Sequence, residues 1–222
     1  MTKAIFIDYT GTMVQEDEPN TRELLAYFIT HSDLKDPAQI LQIVWGQIKE
    51  LEAKSHGDAF IKNDEKVDCI LNYCQENYGL NGDLEYMHKV WRKVWVEAPL
   101  FPDVKPFFER TKLPIYVLSN DDLCYLEESM KQKGLQPAGI ISAETVRACK
   151  PSKVIFEKAL EIADVKPEEA LFIGDSIASD VLPAKKMGIT PVYISRKEAA
   201  ASEYLEGLED VRVIKSLNEL QI

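Results

Sequence analysis

The sequence predicts an α/β fold: a doubly wound parallel sheet interrupted by an inserted all-helical block. Three observations predict it. Short apolar runs, each bounded by turn or charged residues, recur along the chain and read as buried strands. Helical patterns separate most of them, which is the alternation of a parallel sheet. The stretch from Asn20 to Glu97 carries helical spacing and no convincing strand.

The first run, Ala4-Ile5-Phe6-Ile7, is wholly apolar and ends at Asp8. The insert comes next. Asn20 with Glu23 three residues on resembles a capping box at its first helix. Ile40, Val44, Ile48 and Leu51 then repeat at helical spacing, as do Val67, Ile70, Leu71 and Cys74, and again Leu84, Met87, Trp91 and Trp95, for about four helices in all. Strands resume at 115–118, 139–142, 170–173 and 191–194, with a weaker one at 211–214. Helices are predicted at 122–133 and 152–163, the second entered through Pro151, a favourable first helical residue. Gly134 and Gly188 suit left-handed helix ends. The division is therefore a Rossmann-like core at residues 1–16 and 99–222 and a helical unit at residues 17–98.

Composition narrows the function. The 222 residues carry 26 Lys+Arg against 37 Asp+Glu, a formal charge of −11. Nucleic acid and anionic membranes want a basic face, so neither is expected as the main partner. A small phosphorylated ligand answers only to local charge and stays admissible. No apolar run approaches the roughly 18 residues of a membrane span, and the apolar stretch before Asp8 is too short for a secretory signal. Cys69, Cys74, Cys124 and Cys149 form no Cys-x-x-Cys pair, and four buried, reduced thiols in a cytoplasmic protein are expected. Oligomeric state is not legible.

Ligands of open parallel sheets bind at the carboxyl ends of the strands. Those ends read Asp8-Tyr9-Thr10-Gly11-Thr12, then Ser119-Asn120, then Gly174-Asp175-Ser176 with Asp180 further on, while Lys150 stands before Pro151. Asp8 and Asp175 end different strands of one sheet, so they are expected to face each other. Two carboxylates held close either share a proton or hold a cation, and an oxygen-only site of this kind suits Mg²⁺. Ser119 and Asn120 offer hydrogen bonds, Lys150 a point charge for an anion, and Gly11 a close backbone approach. A carboxylate nucleophile, a metal, a hydroxyl and a lysine are the requirements of phosphoryl transfer to Asp.

These segments resemble the four motifs of the haloacid dehalogenase (HAD) superfamily, in order and across essentially the whole chain: Asp8 to Thr12, Ser119, Lys150-Pro151, and Gly174-Asp175-Ser176 through Asp180. The insert resembles the helical cap of that superfamily's first subclass. The resemblance implies that Asp8 is the nucleophile, and that Asp8, the Thr10 carbonyl and Asp175 bind Mg²⁺. Ser119 and Lys150 then hold the phosphoryl oxygens, with Thr10, Gly11 and Asn120 also lining the substrate site. Ser176 and Asp180 support it, Asp180 by ordering the metal's waters or Lys150. The cap closes over the site and selects the substrate.

One position departs from the pattern. Most phosphatases of the superfamily carry Asp two residues after the nucleophile, where this chain has Thr10. A carboxyl group exchanges protons readily near neutral pH and an aliphatic hydroxyl does not, while general acid–base catalysis is worth about 10²–10⁴-fold. A phosphohydrolase is the leading expectation, restricted to good leaving groups, slow, or dependent on an acid from the cap. Two alternatives stay open. Haloacid dehalogenation needs no metal and wants an Arg for the substrate carboxylate, for which Arg22 and Arg92 are available. A phosphate-binding regulatory protein with weak turnover would keep the same charged residues. Trp45, Trp91 and Trp95 are expected mainly in helix packing, Lys49, Lys62 and Arg92 are candidate anion contacts, and Asp121-Asp122 read as a loop and helix start.

Overall fold

A computed structural model describes residues 1–16, 19–196 and 208–222 of the chain. Six strands form one sheet: β1 (Ala4–Ile7), β2 (Ile115–Ser119), β3 (Gly139–Ser142), β4 (Ala170–Gly174), β5 (Thr190–Ile194) and β6 (Arg212–Ile214). Their spatial order is β3-β2-β1-β4-β5-β6, and every neighbouring pair is parallel. The chain starts in the middle of the sheet and winds outward on both sides, so the switch point lies between β1 and its neighbours. All four residues of β1 are fully buried, as expected of a central strand covered on both faces.

Helices α5 (Val104–Arg110), α6 (Leu123–Lys133), α7 (Ala143–Val146), α8 (Lys153–Ala163) and α9 (Leu182–Lys186) connect the strands. Strand residues alternate between two cores. Ile5, Ile7, Val117 and Ile173 pack with Phe107 and Leu126 on one face. Phe6, Leu118 and Phe172 pack with Ile155, Phe156 and Ala159 on the other. Period-two alternation thus fills both layers from the same strands.

The insert holds α1 (Pro19–His31), α2 (Pro37–Lys54), α3 (Asn63–Tyr78) and α4 (Leu84–Glu97). Its apolar faces make a core of their own, with Phe28, Ile40, Val67, Ile70, Leu71, Cys74, Met87 and Trp91 at its centre. None of the described helices is long and apolar enough to cross a membrane.

Three expectations need correction. Helix α1 begins at Pro19, so Asn20 lies inside its first turn and not at its cap. Helix α8 begins at Lys153, with Ser152 as the cap accepting from Val154 N, so Pro151 precedes the cap. Only Cys74 and Cys149 are buried; Cys69 and Cys124 are exposed, and all four are free thiols.

A buried ion pair ties the loop after β1 to the chain's C-terminal part. Arg196 Nη1 donates to Asp103 Oδ2 at 2.6 Å and Nη2 to the Thr12 carbonyl at 2.7 Å, while the guanidinium lies 4.2 Å from the centre of the Phe101 ring. Asp103 Oδ2 also accepts from Ser216 Oγ and Leu217 N. Burial pushes the Asp103 carboxyl up, but Arg196, Ser216 and the Leu217 N–H outweigh it and hold it below its ordinary range. Its contribution is therefore complete at neutral pH and is lost only as the pH falls through that lowered value. Asp103→Ala leaves Arg196 buried without its counterion, at an expected cost of about 3–5 kcal/mol. Denaturant titration at pH 7 checks this, and a loss under about 1 kcal/mol would refute the role assigned to the pair.

Candidate active site

Asp8 follows β1, and its backbone N–H donates to the Ile173 carbonyl of β4 at 2.9 Å, which fixes it at the sheet's carboxyl edge. The next residues turn back on themselves: Gly11 N donates to Val14 O and Met13 N to Tyr9 O. Gly11 sits at φ 80°, and a Cβ there would fall within the Asp175 carboxylate. Glycine is thus required twice, for the left-handed backbone and for the approach of Asp175. The fully buried Thr12 hydroxyl donates to Asp8 Oδ2 at 3.0 Å and lies 3.4 Å from Asp175 Oδ1.

Lys150 is 5% exposed and is joined to Pro151 by a cis peptide. Its N–H donates to Asn120 Oδ1 at 2.7 Å. Its Nζ donates to Asp8 Oδ1 at 2.5 Å and to Asp180 Oδ1 at 2.7 Å. Asp180 lies in a wide helical turn, Ile177–Val181, that Ser176 caps by accepting from Ser179 N. Ser176 N donates in turn to Asp180 Oδ2 at 3.0 Å. At Gly174 a Cβ would collide with the Asp180 side chain, so this glycine too is imposed by the site.

The electrostatics follow from crowding. Asp8, Asp175 and Asp180 each bring an oxygen into a group whose members all lie within 4.8 Å of one another. Burial disfavours the Lys150 ammonium, but Asp180 and Asp8 outweigh it and hold its pKa well above the ordinary range. Burial, then the charges of Asp8 and Asp180, push the Asp175 carboxyl up to about 8. Burial likewise pushes Asp180 up to about 6, against the pull of Lys150. One ammonium does not neutralise three carboxylates, and the excess negative charge on hard oxygen donors fits a divalent cation of the Mg²⁺ type.

These residues line a cavity of about 630 Å³ between the sheet and the insert. Asp8, Thr10, Ser119, Asn120, Lys150, Asp175, Ser176 and Asp180 all face it, and Gly11 lies directly beneath Asp175. The residues of the four motifs are thus brought together. The Ser119 hydroxyl, 2% exposed, donates to Asp121 Oδ2 at 2.8 Å.

The insert's contribution differs from expectation. Lys49 lines the cavity, whereas Lys62 pairs with Glu144 and Arg92 with Glu128, and neither of those two lines it. Trp91 is buried in the insert's core, but Trp45 and Trp95 line the cavity. Asp121 is no mere loop residue. Thr10 Oγ1 lies 3.5 Å from its Oδ2, and Asn63 Nδ2 donates to its Oδ1 at 3.1 Å. Asp122 accepts from Asn63 N at 3.0 Å, and burial pushes its carboxyl up to about 6. Asn63, Lys66 and Glu52 also face the cavity, and sequence reasoning missed them. A signal existed for two of them: Asn63, Lys66, Val67 and Ile70 fall on one helical stripe, so two polar residues share a buried face.

Comparison with known proteins agrees with the geometry. Residues 2–188 match the family model of haloacid dehalogenase-like hydrolases. The Rhythmically expressed gene 2 protein of Drosophila melanogaster is 31% identical over 69% of this chain and 59% of its own length. The phospholysine phosphohistidine inorganic pyrophosphate phosphatase of Xenopus laevis is 44% identical over 31% of this chain and 25% of its own. These matches span less than two thirds of those relatives. Among solved structures, the HAD-hydrolase YfnB from Bacillus subtilis bound to magnesium superposes with a TM-score of 0.78 at 18% identity, covering 98% of this chain and 96% of that one. The L-2-haloacid dehalogenase from Xanthobacter autotrophicus gives 0.74 at 17%, covering 99% and 96%. At such identities the likeness is one of fold.

The Gly11 geometry yields a direct check. Gly11→Ala forces a Cβ into a left-handed residue and against Asp175, with an expected loss of about 1–3 kcal/mol. Thermal unfolding measures it, and an unchanged midpoint would contradict the close approach of the two segments.

Proposed function

The chain belongs to the haloacid dehalogenase-like hydrolases, and from this we propose that it is a Mg²⁺-dependent phosphohydrolase acting on a small phosphorylated metabolite through an aspartyl phosphate on Asp8. The observation that carries the reading is the buried Lys150 ammonium shared by Asp8 and Asp180, with Asp175 held across from them. The site combines an acceptor carboxylate, a cation for phosphoryl oxygens and an oxygen-only nest for a hard metal. Phosphatase activity in the name of the Xenopus relative supports the same class.

In this reading an Asp8 oxygen attacks phosphorus, the bond to the leaving oxygen breaks, and that oxygen departs with a proton. Water then attacks the phosphorus of the aspartyl phosphate, releasing inorganic phosphate and restoring Asp8. Lys150 and Ser119 hold the equatorial oxygens, and Asn120 holds the Lys150 backbone in place. Asp8, Thr10 through its carbonyl, and Asp175 hold the Mg²⁺, with Ser176 and Asp180 fixing the surrounding groups. When bound, the ion neutralises charge that builds on the phosphoryl oxygens. Residues 17–98 act as a cap that closes the cavity and chooses the substrate.

Thr10 cannot exchange the proton of the leaving oxygen efficiently. Asp121 is the carboxylate that stands next to it, tied to Ser119 and Asn63. We assign the acid–base role to Asp121, supplied by the loop after β2 and not by the cap. The dehalogenase alternative is less well supported, because Arg22 and Arg92 are absent from the residues lining the cavity.

Three outcomes are expected in a screen of phosphate esters. Turnover requires Mg²⁺, stops with a chelator and is abolished by Asp8→Asn; phosphate release that survives chelation would sink the Mg²⁺ dependence, and chelator-resistant turnover of a 2-haloacid with no phosphate ester hydrolysed would sink the phosphohydrolase reading in favour of attack on carbon. Asp121→Asn lowers kcat by about 10²–10⁴-fold with the fold retained, and a change under about threefold removes Asp121 from the acid–base role. Thr10→Asp raises hydrolysis of simple alkyl phosphates, measured as phosphate release, and no gain in a folded variant would contradict the account of Thr10.

A further inference from the structure

Lys66 lies on the buried face of α3, is 3% exposed, and lines the cavity opposite the sheet. An ammonium removed from water requires its three donors to be matched. Among the described residues, Lys66 Nζ makes one hydrogen bond, to Asn63 Oδ1 at 3.2 Å. Glu52 Oε1 is 3.7 Å away, near enough to attract but beyond a hydrogen bond. Glu52 is also divided, because its other oxygen accepts from Asn120 Nδ2 at 2.9 Å. The insert therefore places an under-satisfied cation at the cavity wall.

We propose that Lys66 is a specificity-determining residue that binds a carboxylate on the leaving-group portion of the substrate, so that the preferred substrates are phosphate monoesters of small hydroxy acids. The inference rests on the phosphohydrolase reading and extends it. A phosphoryl group seated between Asp8, Ser119 and Lys150 leaves the rest of the ligand facing α2 and α3, where Lys66, Glu52 and Trp45 line the wall. A single compact ammonium matches a monoanion. A second phosphate would carry more charge toward Glu52 and Asp121, and a cationic group would be repelled by Lys66 itself. Lys49 also lines the cavity but is exposed, so water already satisfies it.

The test compares 3-phosphoglycerate with glycerol 3-phosphate, which differ in a carboxylate against a hydroxymethyl group, in the presence of Mg²⁺. The native protein is expected to favour the acid by about 10²-fold in kcat/KM. Lys66→Met should collapse that ratio toward one, and Lys66→Arg, which keeps the charge, should restore part of it. If Lys66→Met does not fold, Lys66→Gln serves the same comparison. Equal native rates, a preference for the neutral ester, or a preference that survives both neutral variants overturns the assignment while the phosphohydrolase reading stands. If neither ester is turned over, that reading fails for these esters, and calorimetric binding of 3-phosphoglycerate decides the assignment separately. Binding lost in Lys66→Met supports it; binding absent or unchanged overturns it.

Discussion

One ammonium inside the protein organises the whole carboxyl edge of the sheet. Lys150 Nζ sits between Asp8 from the end of β1 and Asp180 from the turn after β4, and all three side chains are buried. Burying charge is tolerable only where the partners are close and hydrogen-bonded. That requirement reaches outward. The Thr12 hydroxyl is fixed to Asp8, Ser176 N to Asp180, and Lys150 N to Asn120, so four segments meet at one set of charges. Gly11 and Gly174 are the backbone's concession to the same packing, since a side-chain carbon at either would displace an aspartate.

The insert is attached by a different kind of interaction. Within itself it is held by an apolar core of four helices. Against the rest of the protein it makes polar bonds, Asn63 N to Asp122, Tyr125 to Asp64 at 2.6 Å, Lys62 to Glu144 at 2.5 Å and Arg147 Nε to the Gly57 carbonyl at 2.7 Å, together with a few apolar contacts, Trp95 stacked on Tyr125 and Phe60 against the core of Phe6 and Phe172. Water can replace most of such partners with little net change, each bond being worth about 1 kcal/mol. Apolar contacts have no such substitute. In the proposed function, the polar part of this seat would be exchanged for solvent while the insert's own core stays intact, as a cap over a cavity that admits and releases a ligand requires.

How much of this was legible depended on whether the signal was local. A buried central strand is a run of apolar residues, and the residue that ends it or comes next lies at the sheet's edge by topology alone; Asp8, Ser119 and Asp175 could be placed that way. Lys150 and Asp180 gained meaning only from their position among the other motifs. The cavity's far wall was not legible. Lys62 and Arg92 look like Lys66 in sequence, yet they point to Glu144 and Glu128, and only the packing of α3 and α4 against the rest of the protein separates them. Trp45, Trp91 and Trp95 share one residue type, but one fills the insert's core and two face the cavity. The stripe Asn63, Lys66, Val67, Ile70 was the exception, a local pattern in which polar residues on an apolar face marked a buried polar function.

Asp121 joins the sheet's chemistry to the insert's. Its carboxylate is reached from two directions, by Ser119 of the sheet and by Asn63 of the insert, and it lies beside Thr10 in the loop after the nucleophile. A carboxylate held from one side only would swing with its loop. Held from both, its position near Thr10 depends on α3 being seated, because Asn63 brings its side chain to Asp121 and its backbone N–H to Asp122 in one step. Proton exchange at the leaving oxygen would then be complete only when the insert covers the cavity and water is excluded from it. With the proposed acid–base carboxyl at position 121 and a threonine at position 10, the chemistry would be conditional on closure.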